Sequence, residues 1–308
     1  SYFWYLISIM IVVNLKGGLG NQMFQYAAAY NLSLRKKVPI LVDLRLMREH
    51  KIRPSPRNVP RDYDLDIFGI KKKEPTFGNL IKFLQFFKNY RLRKYIAIIS
   101  NWIGLPVFYE KERCFNPKFN NNKFKAIYLD GLWQSEKYFK DCRADILNLF
   151  NFNEAKQKDK NKEFVKKINF SNSVCLNVRR TDFINNPEHN VVNIDYYKNS
   201  IIKFKKLLGS DIIVYIFSDD LDWCKDNFNF IENKFFVEHS HAGKKFYDYL
   251  YLMSLFQNFI IPNSSFAWWA AWLSVKDNKT IMAPNRWSGL VDERKIDIVP
   301  SNWIRVNY

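Results

Sequence analysis

Two consecutive arginines, Arg179 and Arg180, follow an apolar run at 174–178, with Asp182 close behind. A guanidinium at the end of a buried strand can hold a phosphate through two parallel hydrogen bonds. The plainer alternative is a solvated salt bridge to Asp182. Ser218, Asp219 and Asp220 end the next apolar run, where they either cap a following helix or bind the hydroxyls and base N–H groups of a nucleotide. Asn263, Ser264 and Ser265 open an apolar helix, a position that serves at once as cap and anion site because the first N–H groups of a helix lack partners. Near the start, GGLGNQ places Gly17, Gly18 and Gly20 before Asn21 and Gln22. Glycine there permits positive φ and close approach of a ligand to backbone N–H groups. As a dinucleotide fingerprint the string is degraded, since its third glycine falls at Met23, with Asp43 as the distant acid. A tight turn without ligand is the other reading. Cysteines at 114, 142, 175 and 224 form no CxxC, and His239 and His241 are the only close histidine pair, so no metal site is expected. The lack of a disulfide framework fits a reducing compartment and favours the cytoplasm.

These residues need elements to carry them. Residues 10–15 read as a strand, 17–22 as a glycine turn, 23–37 as a helix and 39–44 as a second strand, the start of a doubly wound unit. Residues 51–130, rich in Pro, Phe, Asn and Lys, read as an irregular insertion around helices, with a basic amphipathic stretch at 80–99. The polar, lysine-rich residues 150–166 read as a linker or joining helix. The second half alternates strands at 174–178, 212–217, 234–238, 259–262 and 280–283 with helices at 196–208, 221–228, 244–256 and 266–274. The expected fold is α/β and GT-B-like. Two Rossmann-like doubly wound domains, 1–152 and 153–308, face an interdomain cleft, with the chemistry at the carboxyl ends of the strands. Residues 1–9 are apolar but too short to span a bilayer and lack a basic leader, so Met10 is read as the start, preceded by an extension.

With 308 residues, 47% hydrophobic and 25% charged, the chain has ample material for two cores and no compositional case for disorder. Its net charge of +18 points to nucleic acid, an anionic membrane or a phosphorylated substrate. The charge is local: residues 1–152 hold 26 basic and 12 acidic side chains, whereas 153–308 hold 22 and 18. Between 71 and 94 lie Lys71, Lys72, Lys73, Lys82, Lys88, Arg91, Arg93 and Lys94 against Glu74 alone. The 33 lysines to 15 arginines run against duplex base readout, which favours bidentate arginine, and nucleic acid is not expected as a partner. The stretch from 71 to 99 is either a core helix with a solvated basic face or a segment lying on the inner face of an anionic membrane.

Five strings in order, GGLGNQMFQYA at 17–27, LDGLWQSEKYF at 129–139, NVRRTDF at 177–183, FSDD at 217–220 and NSSFAWWAAWL at 263–273, resemble the inverting fucosyltransferases of glycosyltransferase family 11. The likeness covers most of the chain from Met10. It implies a GT-B fold, with residues 1–152 on the acceptor side and 153–308 binding GDP-fucose. It further implies transfer of fucose to the 2-hydroxyl of a galactose-type acceptor in a surface glycan such as an O-antigen, without a metal or other cofactor. The family's HxRRxD motif falls on Asn177, Arg179, Arg180 and Asp182, with Arg179 placed for the β-phosphate. Asn177 stands where histidine is usual and cannot carry a proton. By the same resemblance Ser218, Asp219 and Asp220 lie near the guanosine, Asn263, Ser264 and Ser265 at the phosphates, and Gly18, Gly20, Asn21 and Gln22 at a sugar. Asp182 is the first candidate for the base and Glu188 the second. The competing functions are a non-catalytic basic protein binding glycan or nucleic acid, and an NAD-dependent oxidoreductase.

Overall fold

The computed structural model describes residues 10–53, 59–75, 107–110, 112–124, 126–152 and 157–308. The chain divides into two compact units, Ser1–Phe150 and Asn151–Tyr308. Each is an α/β unit around a parallel sheet.

In the first unit β1 (Met10–Asn14) is buried along its whole length and leads through the glycine turn into α1 (Leu19–Lys36). Ala27, Ala28 and Ala29 of α1 are fully buried, and side chains this small let a helix approach closely. β2 (Ile40–Asp43) and α2 (Arg45–Ile52) follow. The region at 51–130, read from sequence as an irregular insertion, contributes β3 (Val107–Tyr109) and β4 (Ala126–Asp130). The sheet order is β2-β1-β4-β3, so β4 sits beside β1 in the middle. A short strand buried along all but its last residue lacks alternation, which is why AIYLD gave no periodic signal among its Lys and Asn neighbours. Of the basic stretch only residues 71–75 fall among those described; residues 76–106 lie outside them. The unit ends on α3 (Arg143–Leu149).

The second unit opens with α4 (Asp159–Lys166), which buries Asn161 and Phe164. It continues with β5 (Ser173–Val178), α5 (Ile194–Leu208), β6 (Ile213–Ser218), α6 (Leu221–Asn227) and β7 (Lys234–Phe236). After α7 (Tyr247–Ser254) come β8 (Asn258–Ile260), α8 (Ser265–Leu273), β9 (Thr280–Pro284) and β10 (Ile304–Val306). The helix expected at 244–256 is shorter because Gly243, Lys245 and Phe246 all have positive φ (70°, 53° and 60°), which breaks it before Tyr247. β10 was not anticipated: IRV is three residues long, with two of them exposed. The strand order is β10-β9-β8-β5-β6-β7, all parallel. Connectivity therefore runs outward from β5 through β6 and β7, then reverses and runs the other way from β8. Such a reversal opens a crevice at the carboxyl ends of the two strands that flank it, here β5 and β8.

Candidate functional site

β5 ends at Val178 and delivers Arg179 and Arg180; β8 ends at Ile260 and delivers Asn263 and the start of α8. The two strands are direct neighbours, with Leu176 opposite Ile260, so both loops leave the same edge of the reversal point.

The arginines sit in a frame of carboxylates. Arg179 donates Nε to Asp182 Oδ1 (2.8 Å), places Nη2 2.7 Å from the same oxygen and Nη1 3.2 Å from Asp219 Oδ2. Asp219 also accepts the backbone N–H groups of Arg180 (2.9 Å) and Thr181 (3.1 Å) and the Thr181 hydroxyl. Arg180 donates Nε to Asp220 Oδ2 at 3.2 Å and lies over the Trp223 ring, 3.8 Å from its centroid. Among the described residues its terminal nitrogens make no hydrogen bond. Stacking on an indole face fixes a guanidinium while leaving its edge open. Arg180 thus presents a pre-oriented fork, and Arg179 a more heavily engaged one.

Asp220 is also the cap of α6, its Oδ1 accepting Trp223 N at 3.2 Å. Ser218 Oγ, 2% exposed, accepts Asp220 N at 2.9 Å. Ser218, Asp219 and Asp220, expected at a guanosine, are in this structure the internal frame of the arginine loop. Asn177, expected to contact the donor from the first position of the arginine motif, is buried and donates Nδ2 to Phe217 O (3.1 Å), bracing β5 to β6. Asp182, the candidate base, accepts two nitrogens of Arg179 at Oδ1, a contact that holds the guanidinium in place. Glu188 lies in the same loop, where its carbonyl accepts Gly289 N at 2.8 Å.

At the head of α8, the side chain of the N-cap residue Ser264 accepts no backbone N–H. The hydroxyls of Ser264 and Ser265 have no hydrogen-bond partner among the described residues, although Ser264 is 5% exposed. The helix is apolar on every side, with Ala267 to Trp272 buried and Trp268 Nε1 donating to Ile298 O at 2.7 Å. Its unpartnered N–H groups and positive dipole end therefore stand on a rigid mount. Asn263 does not join them. It is 4% exposed and donates Nδ2 to His189 O and Trp287 O, both at 3.0 Å. Both amide hydrogens are thus committed to carbonyls, so a phosphate contact expected of Asn263 would have to displace one of them.

The glycine turn of the first unit shows a similar division. Gly17 has φ 79° and Gly18 precedes the helix in extended geometry, while Gly20 is buried in the first helical turn. A Cβ on Gly17 would lie 2.4 Å from Asn21 Nδ2, so a larger residue there would have to displace the Asn21 side chain as well as adopt the positive φ. Gln22, expected at a sugar, is fully buried; it donates to Gly17 O (3.0 Å) and Asp62 O (2.8 Å) and accepts Asp64 N (2.9 Å). Those bonds make it a bolt beneath the turn. Asn21 is partly exposed and accepts Gln134 Nε2 at 2.8 Å. Next to this turn Asp130, at the end of β4, accepts Asn14 Nδ2 (3.1 Å) and Lys16 Nζ (3.2 Å). Glu110 accepts Leu132 N (2.6 Å) and Trp133 N (3.1 Å), and its burial raises the carboxyl pKa.

Sequence reading missed Trp223, the platform under Arg180, and His239, whose Nε2 lies 2.8 Å from Ser218 O. Trp223 stands three residues after Asp220, where an aromatic on the first turn of a capped helix was the available signal. His239 follows β7 with no local signal at all. Among the described residues no group of three or more His, Cys, Asp or Glu side chains is arranged to hold a metal ion, and no helix is long and apolar enough to cross a membrane.

Residues 107–307 match the sequence model of glycosyl transferase family 11. The alpha-1,2-colitosyltransferase of Escherichia coli is 30% identical, over 96% of this chain and 99% of its own. The O-antigen biosynthesis glycosyltransferase WbnK of Escherichia coli is 31% identical, over 95% and 99%. Among solved structures, fucosyltransferase NodZ from Bradyrhizobium aligns with a TM-score of 0.47 at 14% identity, over 85% of this chain and 91% of that one. From the family match across most of the second unit and the two near full-length relatives, this chain belongs to glycosyltransferase family 11.

Proposed function

We propose that this glycosyltransferase moves fucose from GDP-fucose to the 2-hydroxyl of a galactose-type acceptor in a surface glycan, with inversion, in a GT-B arrangement and without a metal. The observation that carries the reading is the pairing at the reversal point of the second sheet. Two arginines leave β5 beside the head of α8, where two serine hydroxyls and the helix N–H groups remain available. Departure of GDP from the anomeric carbon builds negative charge on the β-phosphate, and fixed cations and N–H dipoles stabilise that charge without reorganising. Arg179 and Arg180 supply the cations, and Ser264 and Ser265 the neutral donors. Asp182 and Asp219 hold Arg179 in place. The acceptor hydroxyl then attacks the opposite face of the sugar in a single displacement: its new C–O bond forms as the anomeric C–O bond to the β-phosphate breaks, and its proton passes to a carboxylate of the site or to water. The α-1,2 linkage is supported by the alpha-1,2-colitosyltransferase and the surface glycan by the O-antigen glycosyltransferase WbnK, the two Escherichia coli relatives.

A second donor is favoured by one observation, the colitosyltransferase at 30% identity. Colitose is fucose lacking the 3-hydroxyl, so the two nucleotide sugars present the same diphosphate to the arginines. The test is GDP release from GDP-fucose and from GDP-colitose, with lactose and an array of galactosides as acceptors. Transfer from GDP-fucose to a galactoside supports the first reading. Turnover of GDP-colitose alone replaces the donor, and turnover of neither overturns the proposal.

A further inference from the structure

We infer that Asn263 is a positioning residue, whose carboxamide clamps two loops together and thereby sets the Arg179 guanidinium; the inference rests on the phosphate role given to Arg179 above. Asn263 is 4% exposed, and its Nδ2 bridges His189 O in the loop at 179–193 and Trp287 O in the loop after β9. Its Oδ1 is buried without a partner among the described residues. A buried amide with one unsatisfied end is costly, so its donor end must serve something that outweighs the loss.

The two loops it bridges are already in contact. Gly289 N donates to Glu188 O at 2.8 Å, and a Cβ on Gly289 would lie 1.9 Å from Pro187 O. The loop after β9 is itself anchored, because Glu293 accepts both Trp287 N and Ser288 N and pairs with Arg305 of β10 at 3.1 Å. Tyr308 Oη holds Val191 O at 2.7 Å. The 179–193 loop is thereby tied to a fixed wall, and Asn263 is the tie nearest the head of α8.

The route from that tie to the reacting charge has two further contacts. The His189 ring stacks on Phe183 at 4.8 Å and 25°, and the Phe183 face lies 5.8 Å from the Arg179 guanidinium carbon. Asp182, the main partner of Arg179, belongs to the same loop. Any displacement of the loop therefore carries Asp182 and Phe183 with it and takes Arg179 along. A shift of about 1 Å in a group that must meet developing charge can cost about a hundredfold in rate.

The experiment is a double-mutant cycle of Asn263→Ala and His189→Ala, the second of which keeps the backbone carbonyl that Asn263 binds. The readouts are kcat and KM for GDP-fucose with lactose, the GDP dissociation constant by calorimetry, the melting temperature, and amide exchange across 179–193. Asn263→Ala should lower kcat about tenfold or more, change GDP affinity less than about threefold, and speed exchange in the 179–193 loop. His189→Ala should lower kcat in the same direction, and the double variant should be no slower than Asn263→Ala, because both act through one route. Multiplying effects, or unchanged exchange in the loop, would overturn the clamp. If Asn263→Ala does not fold, unchanged kcat in both His189→Ala and Phe183→Leu overturns it as well. A silent Arg179→Ala instead removes the phosphate role itself, so the two failures are told apart.

Discussion

Replacing Arg179 by alanine should separate catalysis from stability. The side chain is 28% exposed and contacts two carboxylates, Asp182 (25% exposed) and Asp219 (9%). Asp219 keeps three other donors, from Arg180 and Thr181, when the guanidinium is removed, so no carboxylate is left buried and bare. The stability loss should then stay near that of a partly exposed ion pair, about 1 kcal/mol, or about 2–4 °C in melting temperature for a unit of this size. The rate loss should be larger, because a donor aimed at developing charge acts where water is excluded: about 100- to 1,000-fold in kcat, equivalent to about 3–4 kcal/mol. Arg179→Lys should recover only part of it, since an ammonium cannot bridge Asp182 and Asp219 while still pointing at a phosphate. The assay is steady-state GDP release from GDP-fucose alongside a thermal melt of each variant. A near-wild-type kcat in Arg179→Ala refutes the reasoning, and so does a kcat loss fully accounted for by a collapse in melting temperature.

Activity should persist in excess EDTA; a collapse restored by Mg²⁺ or Mn²⁺ would move Asp219 and Asp220 from loop frame to metal ligand. The His241 ring donates from Nδ1 to Asn161 Oδ1 (2.6 Å), and burial followed by Lys160 lowers its pKa below 6.5. The folded state therefore disfavours the protonated ring, and its stability is lost as pH falls through the unfolded value. His241→Asn should flatten the drop in melting temperature between pH 7 and about 5.5, and an unchanged drop would exclude this ring as its source. We also propose that the basic stretch at 71–99 lies on an anionic membrane: the protein should pellet with anionic but not neutral vesicles and release near about 0.5 M salt. The triple change Arg91→Ser, Arg93→Ser and Lys94→Ser should abolish pelleting, and equal pelleting by that variant would leave the segment without a membrane role.

The second sheet was largely legible because its strands up to Ala283 are mainly apolar runs closed by polar clusters, and because α8 is apolar on all sides. β3 and β4 were not, being three and five residues long with neighbours of turn-like composition. The residue types at the strand ends marked the site, but the division of labour within it could not be read. Asn263 and Gln22 look like ligand-binding amides, and only the positions of distant carbonyls, His189 O and Asp62 O, show that their hydrogens are committed elsewhere. A side chain's availability depends on partners that sequence spacing does not specify. The same applies to Arg180, whose openness follows from Trp223 rather than from its own neighbours in the chain.

The central place of β5 governs when the site can exist during synthesis. One flank of β5 is β6, made soon after it, but the other is β8, and Asn258 Nδ2 reaches back to Ser173 O across 85 residues of chain. A nascent chain halted before residue 258 holds both arginines and their carboxylate frame on an unprotected sheet edge, with no helix head to complete the anion site. Closing so distant a pairing delays folding, and until it closes an exposed parallel edge is a template for another chain. The geometry that places both phosphate-binding elements at one crevice therefore also makes the emerging protein depend on its last sixth to shield the strand that carries Arg179 and Arg180.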